Sequence, residues 1–200
     1  DPAPTGELGP YPAIALDAQK RPVDTVTSNI GHLLGTGLLD AEQSALIARR
    51  LADPAMSSGY GLRTMATDSG GYWPLSYHGG AVWTHDTAIA VQGLAREGRS
   101  AEAAELISGL LRAAEGFDYR MPELHSGDGV ELVDSPVPYP AACRPQAWSA
   151  ASAVAVLQAV LGLEPSECGA LETQPLDVAG RVRVDGIVIG GERRTVGTDG

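Results

Sequence analysis

Residues 71–86 form the segment that most constrains how this chain can fold. The segment contains four aromatic side chains, two histidines and one aspartate, and it is interrupted by Pro74 and by the glycine pair at 79–80. A proline lacks a backbone donor and glycines favour positive φ, so the segment cannot form a regular helix or strand. It predicts a loop that ends in a helix, with Thr84 as a candidate N-cap of that helix.

This loop has the chemistry of a carbohydrate site. A sugar ring has apolar C–H faces and a rim of hydroxyls, and it therefore suits a surface that combines flat aromatic rings with polar edges. The alternative is that the four aromatics are ordinary core residues. The mixture favours a ligand site, and the candidate substrate-binding residues of the loop are Tyr77, His78, Trp83, His85 and Asp86.

Length and charge limit the classes of function. The chain has 200 residues, of which 44% are hydrophobic, enough for one globular domain with a core. Its formal net charge is −11 and no basic stripe is present, which argues against a nucleic-acid partner and favours neutral or cationic ligands. No stretch resembles a signal peptide or a membrane span, so we expect no membrane partner and a cytoplasmic location.

The cysteines and the first residues lead to two further expectations. Cys143 and Cys168 are too few for a disulfide framework, so both are expected to be free thiols in a reducing compartment. The chain starts without methionine in a proline- and glycine-rich stretch, as a piece of a longer protein would.

Hydrophobic periodicity predicts two helical hairpins. The first pairs a helix over 28–38 with a helix that begins at the capping box of Asp40 and Gln43 and ends before Pro54. The second pairs a helix over 84–98 with one that starts at Ser100.

Two long irregular connections and a last helix complete the pattern. The connections span 53–83 and 116–144, and connections of that length inside compact domains are usually functional loops. Pro145 starts a strongly apolar helix over 148–161, predicted to be buried in a bundle. Alternating apolar residues around the pair Gly190 and Gly191 predict a terminal β-hairpin. The predicted fold class is all-α, with the unusual chemistry on loops.

Four motifs resemble the C-terminal catalytic region of bacterial amylo-α-1,6-glucosidases of the glycogen-debranching type. They are residues 27–32 (TSNIGH), 76–86 (SYHGGAVWTHD), 121–124 (MPEL) and 136–148 (PVPYPAACRPQAW). The resemblance implies an (α/α)6 toroid built from six helical hairpins, of which this chain would be the C-terminal part. It implies a partial barrel over 1–165, a β-hairpin extension over 166–200, and an upstream half of the barrel in the same polypeptide or in a partner chain.

The same resemblance implies a mechanism and assigns residues to it. It implies inverting hydrolysis of α-1,6-linked glucose in glycogen-like α-glucans, with Glu123 as general base and an upstream aspartate as general acid. Gln146 and Trp148 join the substrate-binding set. Asp86 lies near a helix N-terminus, which favours the ionised carboxylate and a role in binding sugar hydroxyls or orienting His85.

The sequence departs from the family pattern at four positions. The pattern has Asn at Gly79, Ser at Ala81, Pro at Thr84 and Ser at Arg144, so a sugar-contacting amide is absent at position 79. Substrate preference is therefore open.

Three other functions stay open at this stage. A trehalase-like hydrolase or a sugar epimerase would share the helical hairpins, and a non-catalytic carbohydrate-binding domain would keep the tryptophans but tolerate loss of Glu123. The spacing of His78 and His85 matches no common zinc pattern, so neither a metal nor another cofactor is expected.

Overall fold

The computed structural model describes residues 8–165, 171–178 and 180–198. This part of the chain is helix-rich and contains three two-stranded antiparallel sheets. The helices are a 3-10 helix at Ser28–Leu33, α1 at Ala41–Ala52, α2 at Thr84–Arg96, α3 at Ser100–Gly116 and α4 at Ala147–Leu161. The strands are β1 at Val82–Trp83, β2 at Leu124–His125, β3 at Leu163–Pro165, β4 at Leu171–Thr173, β5 at Arg183–Ile189 and β6 at Glu192–Gly197.

Helix α2 is the central element of the core. It packs against α3, α4 and the 3-10 helix, while α1 packs against α3 and the 3-10 helix. Leu51 of α1, Val91 and Leu94 of α2 and Leu106 of α3 are fully or almost fully buried in one cluster. Leu176, beyond the helices, belongs to the same cluster, so the segment after α4 contributes to the core.

The capping box that the sequence predicts at the start of α1 is confirmed. The Asp40 carboxylate accepts a hydrogen bond from the Gln43 backbone N–H at 2.8 Å, and the Gln43 side chain accepts one from the Asp40 N–H at 3.0 Å. These bonds satisfy two backbone donors that have no partner within the helix. The helix buries Ile47 and Leu51, as its periodicity predicts.

The predicted helix over 28–38 is wrong in type and length. Only a 3-10 helix forms, and the chain turns extended at Leu34. Gly35 and Gly37 then adopt φ angles of +71° and +78°, in the left-handed region that terminates a helix. The first predicted hairpin is therefore a 3-10 helix followed by α1.

The second hairpin is confirmed, but its predicted cap is not. Helices α2 and α3 pack against each other across a short link in which Gly98 has a φ of +68°. Thr84 is the first residue of α2 and not its N-cap; that position belongs to Trp83, whose side chain makes no capping bond.

The prediction that α4 is a buried helix holds for its last turn only. Its last turn is buried at Ala159, Val160 and Leu161, whereas Val154 is 67% exposed. Several alanines of its first half are exposed as well. Apolar composition alone does not bury a helix, because burial depends on which neighbours pack against it.

The described residues are helix-rich, as the predicted fold class requires, and they contain two short strand pairs besides the predicted terminal hairpin. The terminal hairpin of β5 and β6 is confirmed, with Gly190 and Gly191 at φ angles of +59° and +85°. Two successive positive φ angles are what a type I′ turn requires. The other two sheets are too short for a period-two pattern to predict them. The described helices do not show a toroid.

Two further expectations concern the thiols and the membrane. Cys143 is a free, exposed cysteine, and Cys168 lies outside the described residues. No helix within the described ranges is long and apolar enough to cross a bilayer.

Candidate functional site

The pairing of β1 with β2 positions the candidate site. Trp83 pairs with Leu124 in antiparallel register, and Val82 pairs with His125. Trp83 directly precedes α2, and Glu123 directly precedes Leu124. The two-residue sheet therefore brings the candidate base Glu123 beside the N-terminus of α2, which carries His85 and Asp86.

The aromatic loop before β1 is held by close backbone packing. A Cβ atom added to Gly80, at φ +155°, would lie 2.3 Å from the Trp73 carbonyl oxygen, and one added to Gly127 would lie 2.1 Å from the Gly80 carbonyl oxygen. The Thr64 hydroxyl accepts from the Gly80 N–H and donates to the Ala81 carbonyl, each at 2.9 Å. No larger residue fits at these two glycines without moving the backbone.

Arg63 connects the same loops from beneath. Its side chain is 1% exposed, and its Nε donates to the Gly127 carbonyl at 2.6 Å. Its Nη1 donates to the carbonyls of Pro54 and Ser57 at 2.7 and 3.1 Å, and its Nη2 contacts the Glu131 carboxylate at 3.4 Å. A buried guanidinium is tolerated when its donors have hydrogen-bond partners in this way. Arg63 therefore has a structural role, because it joins the segment at 54–57 to the loop that contains Gly127.

A cleft of about 470 Å³ lies beside the aromatic loop and the N-terminus of α2. It contains six of the sequence-predicted site residues together with five that were not predicted. Its lining consists of Ile14, Thr27, Ser28, Asn29, Thr64, Tyr77, His78, Trp83, His85, Asp86 and Trp148.

Two predicted site residues do not line the cleft directly. Gln146 is the N-cap of α4, and its side-chain oxygen accepts from the Trp148 N–H at 2.9 Å. Glu123 meets the cleft through Tyr77, whose hydroxyl donates to the Glu123 Oε1 at 2.8 Å.

The unpredicted residues differ in how far the sequence signals them. Residues 27–29 belong to the motif at 27–32, one of the four that resemble debranching enzymes. That motif could have identified them as candidate site residues from the sequence. Ile14 and Thr64 have no such signal, because only the tertiary fold brings them to the cleft.

Two stacked ring pairs form the aromatic wall of the cleft. The His85 and Trp148 rings stack at 4.1 Å and 15°, and the His78 and Trp83 rings at 5.4 Å and 10°. Trp83 is 4% exposed, whereas Trp148 and Tyr77 are 45% and 41% exposed. Trp83 is therefore the buried support of the wall, and the other two rings leave apolar surface exposed in the cleft.

Tyr77 and Glu123 are both fixed from their backbones. The Trp83 indole N–H donates to the Tyr77 carbonyl at 2.7 Å, and the Glu123 N–H donates to the Cys143 carbonyl at 2.9 Å. The hydrogen bond to Glu123 raises the pKa of the Tyr77 hydroxyl above its ordinary value. Tyr77 is therefore a protonated donor at neutral pH.

Asp86 pairs with His32 and not with His85. The Asp86 Oδ1 lies 2.6 Å from the His32 Nε2, and this hydrogen bond raises the pKa of His32 while burial opposes it. The other carboxylate oxygen of Asp86 is buried and has no protein partner in the described structure. Burial lowers the pKa of His85, which is therefore neutral at pH 7.

The positions that depart from the debranching pattern lie in two environments. A Cβ added to Gly79 would lie 2.7 Å from the Ser76 Oγ, so an asparagine there would require the Ser76 side chain to move. Arg144 donates to the Phe117 carbonyl and is 3.7 Å from the Asp118 carboxylate, away from the cleft lining.

No group of three or more His, Cys, Asp or Glu side chains in residues 8–165, 171–178 and 180–198 could hold a metal ion.

Comparison with protein families identifies the domain. A family model described as the mannosylglycerate hydrolase MGH1-like glycoside hydrolase domain matches residues 12–123, more than half of the chain. A comparison with curated proteins finds no match. The matched segment contains the aromatic loop, α2 and Glu123. The expected glycoside hydrolase is thereby supported, while the amylo-α-1,6-glucosidase type stays a prediction. The chain belongs to the MGH1-like glycoside hydrolase domain family.

Proposed function

We propose that this chain supplies the general base and one wall of the substrate cleft of an inverting glycosidase acting on α-1,6-linked glucose in glycogen-like glucans. Membership in a glycoside hydrolase family supports the reaction class. The resemblance of the four motifs to debranching enzymes supports the linkage and the role of Glu123.

The observation that carries this proposal is the contact between Glu123 and the aromatic cleft. The Glu123 carboxylate accepts a hydrogen bond from Tyr77, a residue that lines the cleft beside Trp83. In an inverting glycosidase the base activates a water on one face of the sugar, about 6.5–9.5 Å from the general acid. A sugar stacked on the exposed rings would place its anomeric carbon near Glu123.

The general acid is proposed to come from an upstream part of the barrel. Among the described residues that line the cleft, Asp86 is the one carboxylate, and it is bonded to His32. That bond occupies Oδ1, and the other oxygen, Oδ2, is buried with no protein partner among the described residues. Asp86 is therefore assigned to binding sugar hydroxyls.

The family description names a second candidate substrate, mannosylglycerate. That compound carries a carboxylate, and such a group is usually bound by arginine or lysine. The cleft lining contains neither residue type among the described residues, which favours a neutral sugar. Assaying the complete polypeptide on isomaltose, an α-1,6-branched dextrin and mannosylglycerate separates the candidates. Turnover of mannosylglycerate alone would contradict the glucan assignment.

Glu123→Gln tests the mechanism in the complete protein. The substitution keeps the shape of the side chain but removes its capacity to accept a proton. Because general base catalysis contributes roughly 10²–10⁴-fold, kcat is expected to fall at least about 100-fold with little change in KM.

A surface variant and the product anomer complete this test. Glu115→Gln, at an exposed position on α3, is the matched control and should retain activity. Proton NMR of fresh product should show β-glucose first, because water enters opposite the leaving group. Initial α-glucose would contradict inversion, and an unchanged kcat in Glu123→Gln would remove Glu123 from the mechanism.

A further inference from the structure

We propose that Tyr77 is a positioning residue for Glu123: its hydroxyl holds one carboxylate oxygen so that the other faces the attacking water. This inference rests on the proposed role of Glu123 as general base. It differs from the expectation that Tyr77 only provides an apolar wall for the sugar.

The Tyr77 ring is immobilised on several sides. It meets the Trp83 ring edge-on at 4.6 Å and the His78 ring edge-on at 4.7 Å. The Tyr139 ring lies at 6.0 Å. The Trp83 indole also donates to the Tyr77 carbonyl. A hydroxyl on a ring held in this way has a fixed direction before substrate arrives, which is how preorganised sites maintain their geometry.

The partner carboxylate is anchored as well. The Glu123 backbone N–H is bonded to the Cys143 carbonyl, and Glu123 directly precedes β2. With the backbone fixed, the remaining freedom is rotation of the side chain. The bond from Tyr77 to Oε1 removes that freedom and leaves Oε2 to take the proton from water.

The Tyr77 hydroxyl donates to the Glu123 carboxylate across 46 positions of the chain. The other titratable groups with an electrostatic influence on the two residues are His85 on α2 and Tyr139 and Cys143 in the loop before α4. None of these three donates a hydrogen bond to Glu123 among the bonds of the described residues.

Tyr77→Phe is the test, because it removes the hydroxyl and retains the ring. In the complete protein kcat is expected to fall about 10- to 100-fold with less than about a threefold change in KM, the range of a lost hydrogen bond to a charged group. The thermal midpoint should stay close to that of the parent. Tyr119→Phe, at an exposed position, is the control and should match the parent.

The double variant separates positioning from binding. If Tyr77 acts through Glu123, adding Tyr77→Phe to Glu123→Gln should reduce kcat by less than about threefold more. A fully additive loss, or a loss confined to KM, would overturn the proposal and make Tyr77 a sugar contact.

The outcome also distinguishes this inference from the proposed function. A normal kcat in Tyr77→Phe together with an inactive Glu123→Gln would overturn the positioning role alone. A normal kcat in Glu123→Gln would overturn the proposed function itself.

Discussion

His125 is fully buried beneath the site, where it affects stability and not chemistry. Burial lowers its pKa from 6.5 to about 4, and its Nδ1 donates to the Ser126 carbonyl at 2.9 Å. Between pH 6.5 and about 4, His125 is protonated in the unfolded chain and neutral in the folded one. The associated stability is therefore present above pH 6.5 and is lost as the pH falls towards 4, by about 1.4 kcal/mol per unit and about 3 kcal/mol in total.

His125→Asn tests this titration. The asparagine side chain can donate to the Ser126 carbonyl but does not titrate. Urea denaturation should give a lower free energy of unfolding at pH 7, because the smaller side chain leaves a cavity. Between pH 4 and 6.5 this free energy should change less with pH than it does in the parent. His78→Asn, at an exposed histidine, is the control. An equally steep slope in His125→Asn would assign the acid sensitivity to other groups.

The His32–Asp86 pair has the opposite dependence on pH. Its hydrogen bond raises the pKa of His32 above 6.5, so its contribution is complete below that pH and is lost as the pH rises. The His32 side chain is about two-fifths exposed, and solvent screening limits such a pair to less than about 1 kcal/mol. Below pH 6.5, His125 should therefore contribute more than the His32–Asp86 pair to the pH dependence of the free energy of unfolding.

At the scale of single elements, the start of α1 is the most local feature of the fold. Asp40→Ala removes the side-chain acceptor for the Gln43 N–H and is expected to lower the free energy of unfolding by about 1 kcal/mol. Asp40→Asn retains an acceptor and should cost much less. Chemical denaturation measures both, and equal losses in the two variants would show that the capping bond is not the cause.

The short sheet of β1 and β2 illustrates what local pattern cannot predict. Each strand has two residues, so neither contains a period that a sequence window could detect. The strands form because 82–83 and 124–125 meet and satisfy each other's backbone groups. The helices of the second hairpin are long enough for their periodicity to be visible, and they were predicted.

At the scale of the whole molecule, the first half of α4 presents apolar side chains that stay exposed in the described part of the chain. Val154 and several neighbouring alanines are exposed, and contiguous apolar patches are uncommon on monomeric proteins. If an upstream part of a barrel normally covers this face, these 200 residues alone should aggregate or self-associate. Sedimentation velocity measures this directly.

A pair of variants locates the association on α4. Val154→Glu should reduce it, whereas Val188→Glu, at an exposed valine of β5, should not. A monodisperse parent monomer with a sharp cooperative melt would contradict an incomplete barrel.

The amino-acid sequence determined the features whose interactions are local. The capping box of α1, the turn at Gly190 and Gly191, and the helical periodicity of α2 and α3 each depend on residues a few positions apart. The loop character of 71–86 follows from its proline and glycines for the same reason. The family model, in turn, shows the glycoside hydrolase class through the matched segment.

The tertiary structure decided how the site is assembled. The Tyr77–Glu123 hydrogen bond joins residues 46 positions apart, and the His32–Asp86 bond joins residues 54 positions apart. The exposed half of α4 was also beyond prediction, because an apolar helix is buried only where a neighbour covers it. Contacts between distant residues and the packing of one face depend on the path of the whole chain, which no local pattern contains.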